Sequence, residues 1–121
     1  MYKLRSLNLA KFGFPRVISY KDGPEGSEIL MEQLGVSLNA ESYQNRKRFT
    51  KEHAYDITLQ LLDRIETLHS IGYLHGDIKL ENMVYGGPVG SPHYNRVYLI
   101  DFGLCSKYLL NNGKHIEKVT T

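Results

Sequence analysis

The segment from Thr50 to Gly72 constrains the fold more than any other part of this chain. Thr50 suits an N-cap, Glu52 puts negative charge in the first turn, and Gly72 is placed to end a helix. Between them Ile57, Leu61, Ile65 and Leu68 recur at three to four residues, with Leu62 alongside. That spacing makes a wide apolar stripe on a helix of about 20 residues, which must pack against a core. A chain of 121 residues built around it fits one domain.

Upstream, RVISY (Arg16–Tyr20) and EILMEQL (Glu28–Leu34) flank KDGPEGS, a turn by composition, so the pair reads as a β-hairpin. Gly35 breaks the second strand. Residues 1–12 read as an amphipathic helical tail with Leu4, Leu7 and Leu9 on one side, and NRKRF (Asn45–Phe49) as a solvated charge run. Past the long helix, MVY (83–85) and RVYLI (96–100) read as short strands joined by a Gly/Pro-rich turn segment. The last stretch, NNGKHIEKVTT, is polar and reads as mobile. The expected fold class is α+β.

Composition removes several functions. Fifteen Lys and Arg against thirteen Asp and Glu leave +2, too balanced for nucleic acid or an acidic membrane surface as the main partner. Cys105 is the one cysteine, which rules out an internal disulfide and fits a reducing, intracellular compartment. The five histidines show no paired spacing for structural zinc. No apolar run approaches the ~20 residues of a membrane span, and MYKLRSLNLAKF lacks the apolar core of a secretion signal.

The chemistry gathers in GYLHGDIKLENMVY (Gly72–Tyr85) and VYLIDFGL (Val97–Leu104). If 83–85 and 96–100 pair antiparallel, the start of the first lies beside the end of the second. Asn82, just before the first strand, and Asp101, just after the second, then reach the same sheet end. Hard oxygen ligands of that kind suit Mg²⁺, which takes one or two protein groups with phosphate oxygens and water. Asp77 can overhang the same point from the loop, and Lys79, two residues on, supplies a cation. A carboxylate to orient a hydroxyl, a cation and two metal ligands make up a phosphoryl-transfer site. His75 reads as a structural residue bonding a neighbouring carbonyl, Phe102 as a core plug, Glu81 as solvent-facing and Cys105 as a small packing residue.

HGDIKLEN followed by DFG resembles the catalytic loop H-R-D-x-K-x-x-N and the metal-binding D-F-G of eukaryotic protein kinases. GFP (13–15), LMEQLGVSL (30–38), the helix 51–71 and VYLIDFGLCSKY (97–108) look like the casein kinase 1 group, and HGDIK leans toward its vaccinia-related branch. The resemblance runs over roughly residues 4–120. It implies a partial bilobal kinase fold: residues 1–34 as a remnant of the small lobe, 35–38 as the hinge exit, and 39–121 as the first part of the large lobe. It also implies a serine/threonine kinase, cytoplasmic or nuclear, that uses ATP and Mg²⁺ on a protein substrate. Asp77 would be the base or hydroxyl-orienting group, Lys79 would contact the γ-phosphate, and Asn82 and Asp101 would bind Mg²⁺. Met31 would guard the back pocket, backbone groups of Glu32 and Leu34 would bond adenine, and Val84 would lie under its ring.

Two departures qualify that picture. Gly76 stands where such kinases carry the arginine that receives an activation-loop phosphate, so phosphorylation there loses one receptor. The sequence also holds no glycine-rich loop, no V-A-I-K lysine and no A-P-E, which implies truncation at both ends and a partner chain to complete the fold. Two alternatives stay open: a non-catalytic kinase remnant that acts as a binding module, and a small-molecule phosphotransferase of the aminoglycoside or choline kinase type. Lys79 argues against the second, since that family usually lacks the D-x-K lysine.

Overall fold

A computed structural model describes residues 13–40, 49–88 and 90–117. The expected helical tail 1–12 and most of the charge run, 45–48, lie outside the described residues.

The long helix, α1, spans Lys51–Ser70. Thr50 has extended backbone, and its hydroxyl accepts a 3.1 Å bond from the His53 amide. That satisfies one of the amides a helix start leaves unpaired. Gly72 ends the helix at φ 91°, a left-handed conformation that glycine adopts without a Cβ penalty. Of the expected stripe, Ile57 and Leu68 are buried and Leu61 and Ile65 half-buried. Leu62 is 58% exposed, a correction to its place in the stripe. Arg64 is buried instead: its Nε donates to the Val97 carbonyl at 3.2 Å.

The hairpin is β1 (Val17–Gly23) and β2 (Gly26–Met31), antiparallel, with Gly23 opposite Gly26. Pairing therefore runs well into the stretch that composition marks as a turn, and Pro24–Glu25 alone makes the reversal. Downstream come β3 (Tyr73–Leu74), a 3₁₀ turn at Leu80–Asn82, β4 (Met83–Tyr85), β5 (Val97–Leu99) and β6 (Ser106–Lys107). β4 pairs antiparallel with β5, Met83 opposite Leu99, as the sequence predicts. β3 pairs with β6, a contact the sequence gives no sign of. Mixed helix and strand make the class α+β.

Both faces of β4–β5 are covered, so all six residues are buried. Met83, Tyr85 and Val97 join Leu38 and Ile57 in one cluster, with Phe49, Leu61 and Tyr94 against it. Phe14, Leu68 and Leu99 form a second cluster, with Ile71, Tyr73 and Phe102 packed on it. The Leu99 amide donates to the Gly13 carbonyl at 3.0 Å, which fixes GFP beside β5. Gly13 must lack a side chain, because a Cβ there would overlap the Arg64 guanidinium. The chain leaving β2 is held on β4 by Gly35 N–H to Tyr85 O (2.7 Å) and Tyr85 N–H to Val36 O (3.0 Å). The final stretch is not free along 111–117: the Leu110 amide donates to Lys114 O at 2.7 Å, and Leu109 bridges His115.

Candidate functional site

The HGDIKLEN segment folds around His75, which is 3% exposed. Its Nδ1 accepts from the Asp77 amide at 3.2 Å, so Nε2 carries the proton and donates to the Ile100 carbonyl at 2.8 Å. Phe102 covers this ring edge-on, with centroids 5.2 Å apart, and packs at 6.0 Å from Phe14. One imidazole thus joins the backbone of Asp77 to the residue before Asp101.

Asn82 is buried and closes the 3₁₀ turn. Its Nδ2 donates to the Asp77 carbonyl at 2.9 Å and to Asp77 Oδ2 at 3.0 Å. With the nitrogen committed to Asp77, the amide oxygen is turned the other way. The Ile100 amide donates to the Asn82 carbonyl at 2.9 Å, which extends the β4–β5 ladder and sets Asp101 beside Asn82 in the chain trace. Lys79, half-exposed, puts Nζ 3.5 Å from Asp77 Oδ2. Asp77, Lys79 and Asn82 therefore share one carboxylate. Such a pair, open to water, contributes little to stability, so its place at this loop calls for another reason.

Asp101 is exposed, and among the described residues it is the one non-glycine with positive φ, at 59°. Left-handed backbone costs about 1–2 kcal/mol for such a residue. The Gly103 amide donates to Asp101 Oδ1 at 3.2 Å and offsets part of that cost. Strain held in this way clusters at functional sites. The oxygens of Asn82 and Asp101 are hard donors that fit Mg²⁺, an ion that draws its remaining ligands from phosphate and water. Among the described residues no group of three or more His, Cys, Asp or Glu could hold a metal ion.

Gly76 has φ 85°, and a Cβ there would meet the Leu104 carbonyl at 2.6 Å. Catalytic loop and post-DFG backbone touch at this glycine. Cys105 is half-buried, and burial raises its thiol pKa, which suits a packing residue rather than a nucleophile. Glu81 is exposed, as expected.

The residues expected to meet adenine are more scattered. Glu32 donates its amide to Arg16 O at 3.0 Å, and its Oε1 accepts the Arg16 amide at 2.8 Å. Val84 is buried on the β4 face opposite Met83 and Tyr85, where Ser37 bridges it. Leu34 is half-buried. Met31 ends β2 and is 40% exposed. Among the described residues β1 and β2 pair only with each other, and every residue of β2 is exposed.

Residues 8–121 match the protein kinase domain model, and the chain belongs to the protein kinase family. Two kinds of relative sharpen this. A probable casein kinase I homolog of Encephalitozoon cuniculi is 35% identical over 105 residues, 87% of this chain and 31% of the relative. The B1 kinase of vaccinia virus (strain Copenhagen) is 36% identical over 88 residues, 73% of this chain and 28% of that protein. The B1 kinase of variola virus is 34% identical over a similar span. The chain thus spans about a third or less of the length of these relatives. Protein kinases generally use ATP and Mg²⁺. No helix among the described residues is long and apolar enough to cross a membrane.

Proposed function

We propose that this chain carries the catalytic-loop and metal-binding part of a serine/threonine protein kinase of casein kinase 1 type. It transfers the ATP γ-phosphoryl group to a protein hydroxyl. The observation that carries the reading is the Asp77 carboxylate, bonded by Asn82 Nδ2 at 3.0 Å with Lys79 Nζ at 3.5 Å. Asp77 accepts the hydrogen bond of the substrate hydroxyl and aims it along the transfer axis. Lys79 meets the negative charge of the γ-phosphate. Asn82 and Asp101 present oxygens to Mg²⁺, whose chemistry when bound is to neutralise charge on the phosphates. Asn82 also holds Asp77, so metal side and hydroxyl side are tied through one amide.

In this reading residues 1–34 belong to the small lobe, 35–38 leave the hinge, and 39–121 begin the large lobe. The bonds from Gly35 and Val36 to Tyr85 support a hinge exit fastened to β4. Met31, Glu32, Leu34 and Val84 form the adenine side.

A second reading, a non-catalytic kinase remnant that serves as a binding module, draws support from the uncovered apolar residues of β1–β2. ATP titration with and without Mg²⁺, run beside a casein phosphotransfer assay on the chain extended to the length of its kinase relatives, separates the two. The kinase reading expects Mg²⁺-dependent binding and labelling abolished by Asp77→Asn. Labelling that survives Asp77→Asn, or no labelling at all, would overturn it.

A further inference from the structure

The turn Asp101–Cys105 leaves a well-fixed residue and arrives at a weakly fixed one. Upstream, Ile100 is held by the Asn82 carbonyl and by His75. Downstream, β6 pairs with β3 through two residue pairs alone, Tyr73 with Lys107 and Leu74 with Ser106. Ser106, Lys107 and Leu74 are exposed. A ladder that short and wet does not hold itself together.

Tyr108 follows at once and makes three bonds. Its amide donates to the Gly72 carbonyl at 2.9 Å, and its carbonyl accepts the Ile116 amide at 2.7 Å. Its hydroxyl donates to the His69 carbonyl at 2.8 Å. His69 lies in the last turn of α1, and its carbonyl also accepts the Gly72 amide at 2.9 Å, so the Tyr108 hydroxyl is a second donor on an oxygen already fixed to the helix end. The ring is flanked edge-on by His69 (5.9 Å) and His115 (5.4 Å). One residue next to Leu68 of the core therefore anchors the far end of the turn. Strained backbone persists only where its surroundings over-determine it, and the Tyr108 contacts add to the Gly103 bond and the packed Phe102 ring on the Asp101 side of the turn.

We infer that Tyr108 is a positioning residue that holds Asp101 in its left-handed conformation by anchoring the downstream end of the turn to α1 through its hydroxyl. The inference rests on the reading of Asp101 as a Mg²⁺ ligand for its functional consequence, but not for its structural claim.

The test compares the 121-residue chain with Tyr108→Phe, which keeps the ring, and with Tyr55→Phe, an exposed tyrosine of α1, as control. Amide hydrogen exchange over Gly103–Lys107 is expected to quicken about five-fold in Tyr108→Phe, the population change worth one hydrogen bond. Exchange over Leu61–Leu68 and in the control should not change. Equal exchange in the turn would overturn the inference, and so would equal acceleration in α1, which would mark a general stability residue. For the function, the Mg²⁺ concentration that half-saturates ATP binding should rise about five-fold, with metal-free ATP affinity unchanged; an unchanged Mg²⁺ requirement would overturn the positioning role. The exchange data decide the structural claim for Tyr108 whether or not the 121-residue chain binds ATP, and the kinase reading is decided separately by casein labelling and its loss in Asp77→Asn.

Discussion

Nδ2 of Asn82 lies 3.0 Å from Oδ2 of Asp77 and 2.9 Å from the carbonyl of the same residue. The two bonds differ in what a substitution does to them. Asp77→Asn removes the charge and replaces one of the two acceptor oxygens by an NH₂ donor, but leaves the backbone carbonyl bonded to Asn82. If the proposed function holds, kcat of the chain extended to the length of its kinase relatives should fall by about 10²–10⁴, the range for a lost acid–base group. The thermal transition should move little. Near-normal turnover in steady-state assays would refute the role.

Gly76 tests the contact between the two loops. Alanine there takes a left-handed φ and a Cβ at 2.6 Å from the Leu104 carbonyl. Backbone strain of about 1–2 kcal/mol adds to the displacement of Leu104. In the chain extended to the length of its kinase relatives, urea unfolding of Gly76→Ala should show a loss of roughly 2 kcal/mol or more, by the strain and overpacking magnitudes together. A variant as stable as wild type would show that the post-DFG backbone has room to move.

Cys105 gives a pH dependence. Burial raises its thiol pKa, so the folded state favours the protonated form. The sign follows: this group's contribution to stability is present below the unfolded thiol pKa and is lost as pH rises through the higher folded value. Iodoacetamide should modify folded chain more slowly than urea-unfolded chain at every pH up to the ordinary thiol range, because the thiolate reacts. Equal rates in the two states would contradict the burial.

The exposed apolar surface predicts how the isolated chain behaves. Ile18, Ile29 and Leu30 of the hairpin, and Tyr55, Leu59 and Leu62 of α1, are each 45% exposed or more. Surfaces of this kind mark interaction sites or aggregation. The purified 121 residues should bind a hydrophobic dye, unfold with low cooperativity and fail to label casein. A sharp transition with labelling that Asp77→Asn abolishes would be the contrary result.

Local pattern made much of this legible. The cap at Thr50, the period of Ile57, Leu61 and Leu68, and the stop at Gly72 are neighbour effects within one helix, and they fix α1. The β4–β5 pairing follows from two apolar runs and a Gly/Pro turn, and it carries Asn82 toward Asp101. Leu62 and Met31 show where pattern fails. Both are apolar and at plausible positions, but burial depends on what other segment arrives, and none of the described residues covers them.

Neighbouring residues suffice for the helix, the two hairpins and the gathering of Asp77, Lys79 and Asn82 in one loop, because periodicity, capping and turn chemistry act over short stretches of chain. Tertiary structure alone decided the rest. It buried Arg64 against Val97, paired β3 with β6, put the Gly76 α-carbon against Leu104, and set the Tyr108 hydroxyl on the last turn of α1. Each of these joins groups 28 to 39 residues apart, as Gly76 to Leu104 and His69 to Tyr108 show. No local pattern encodes such a meeting. It is settled only when the core closes and each buried carbonyl must find a donor.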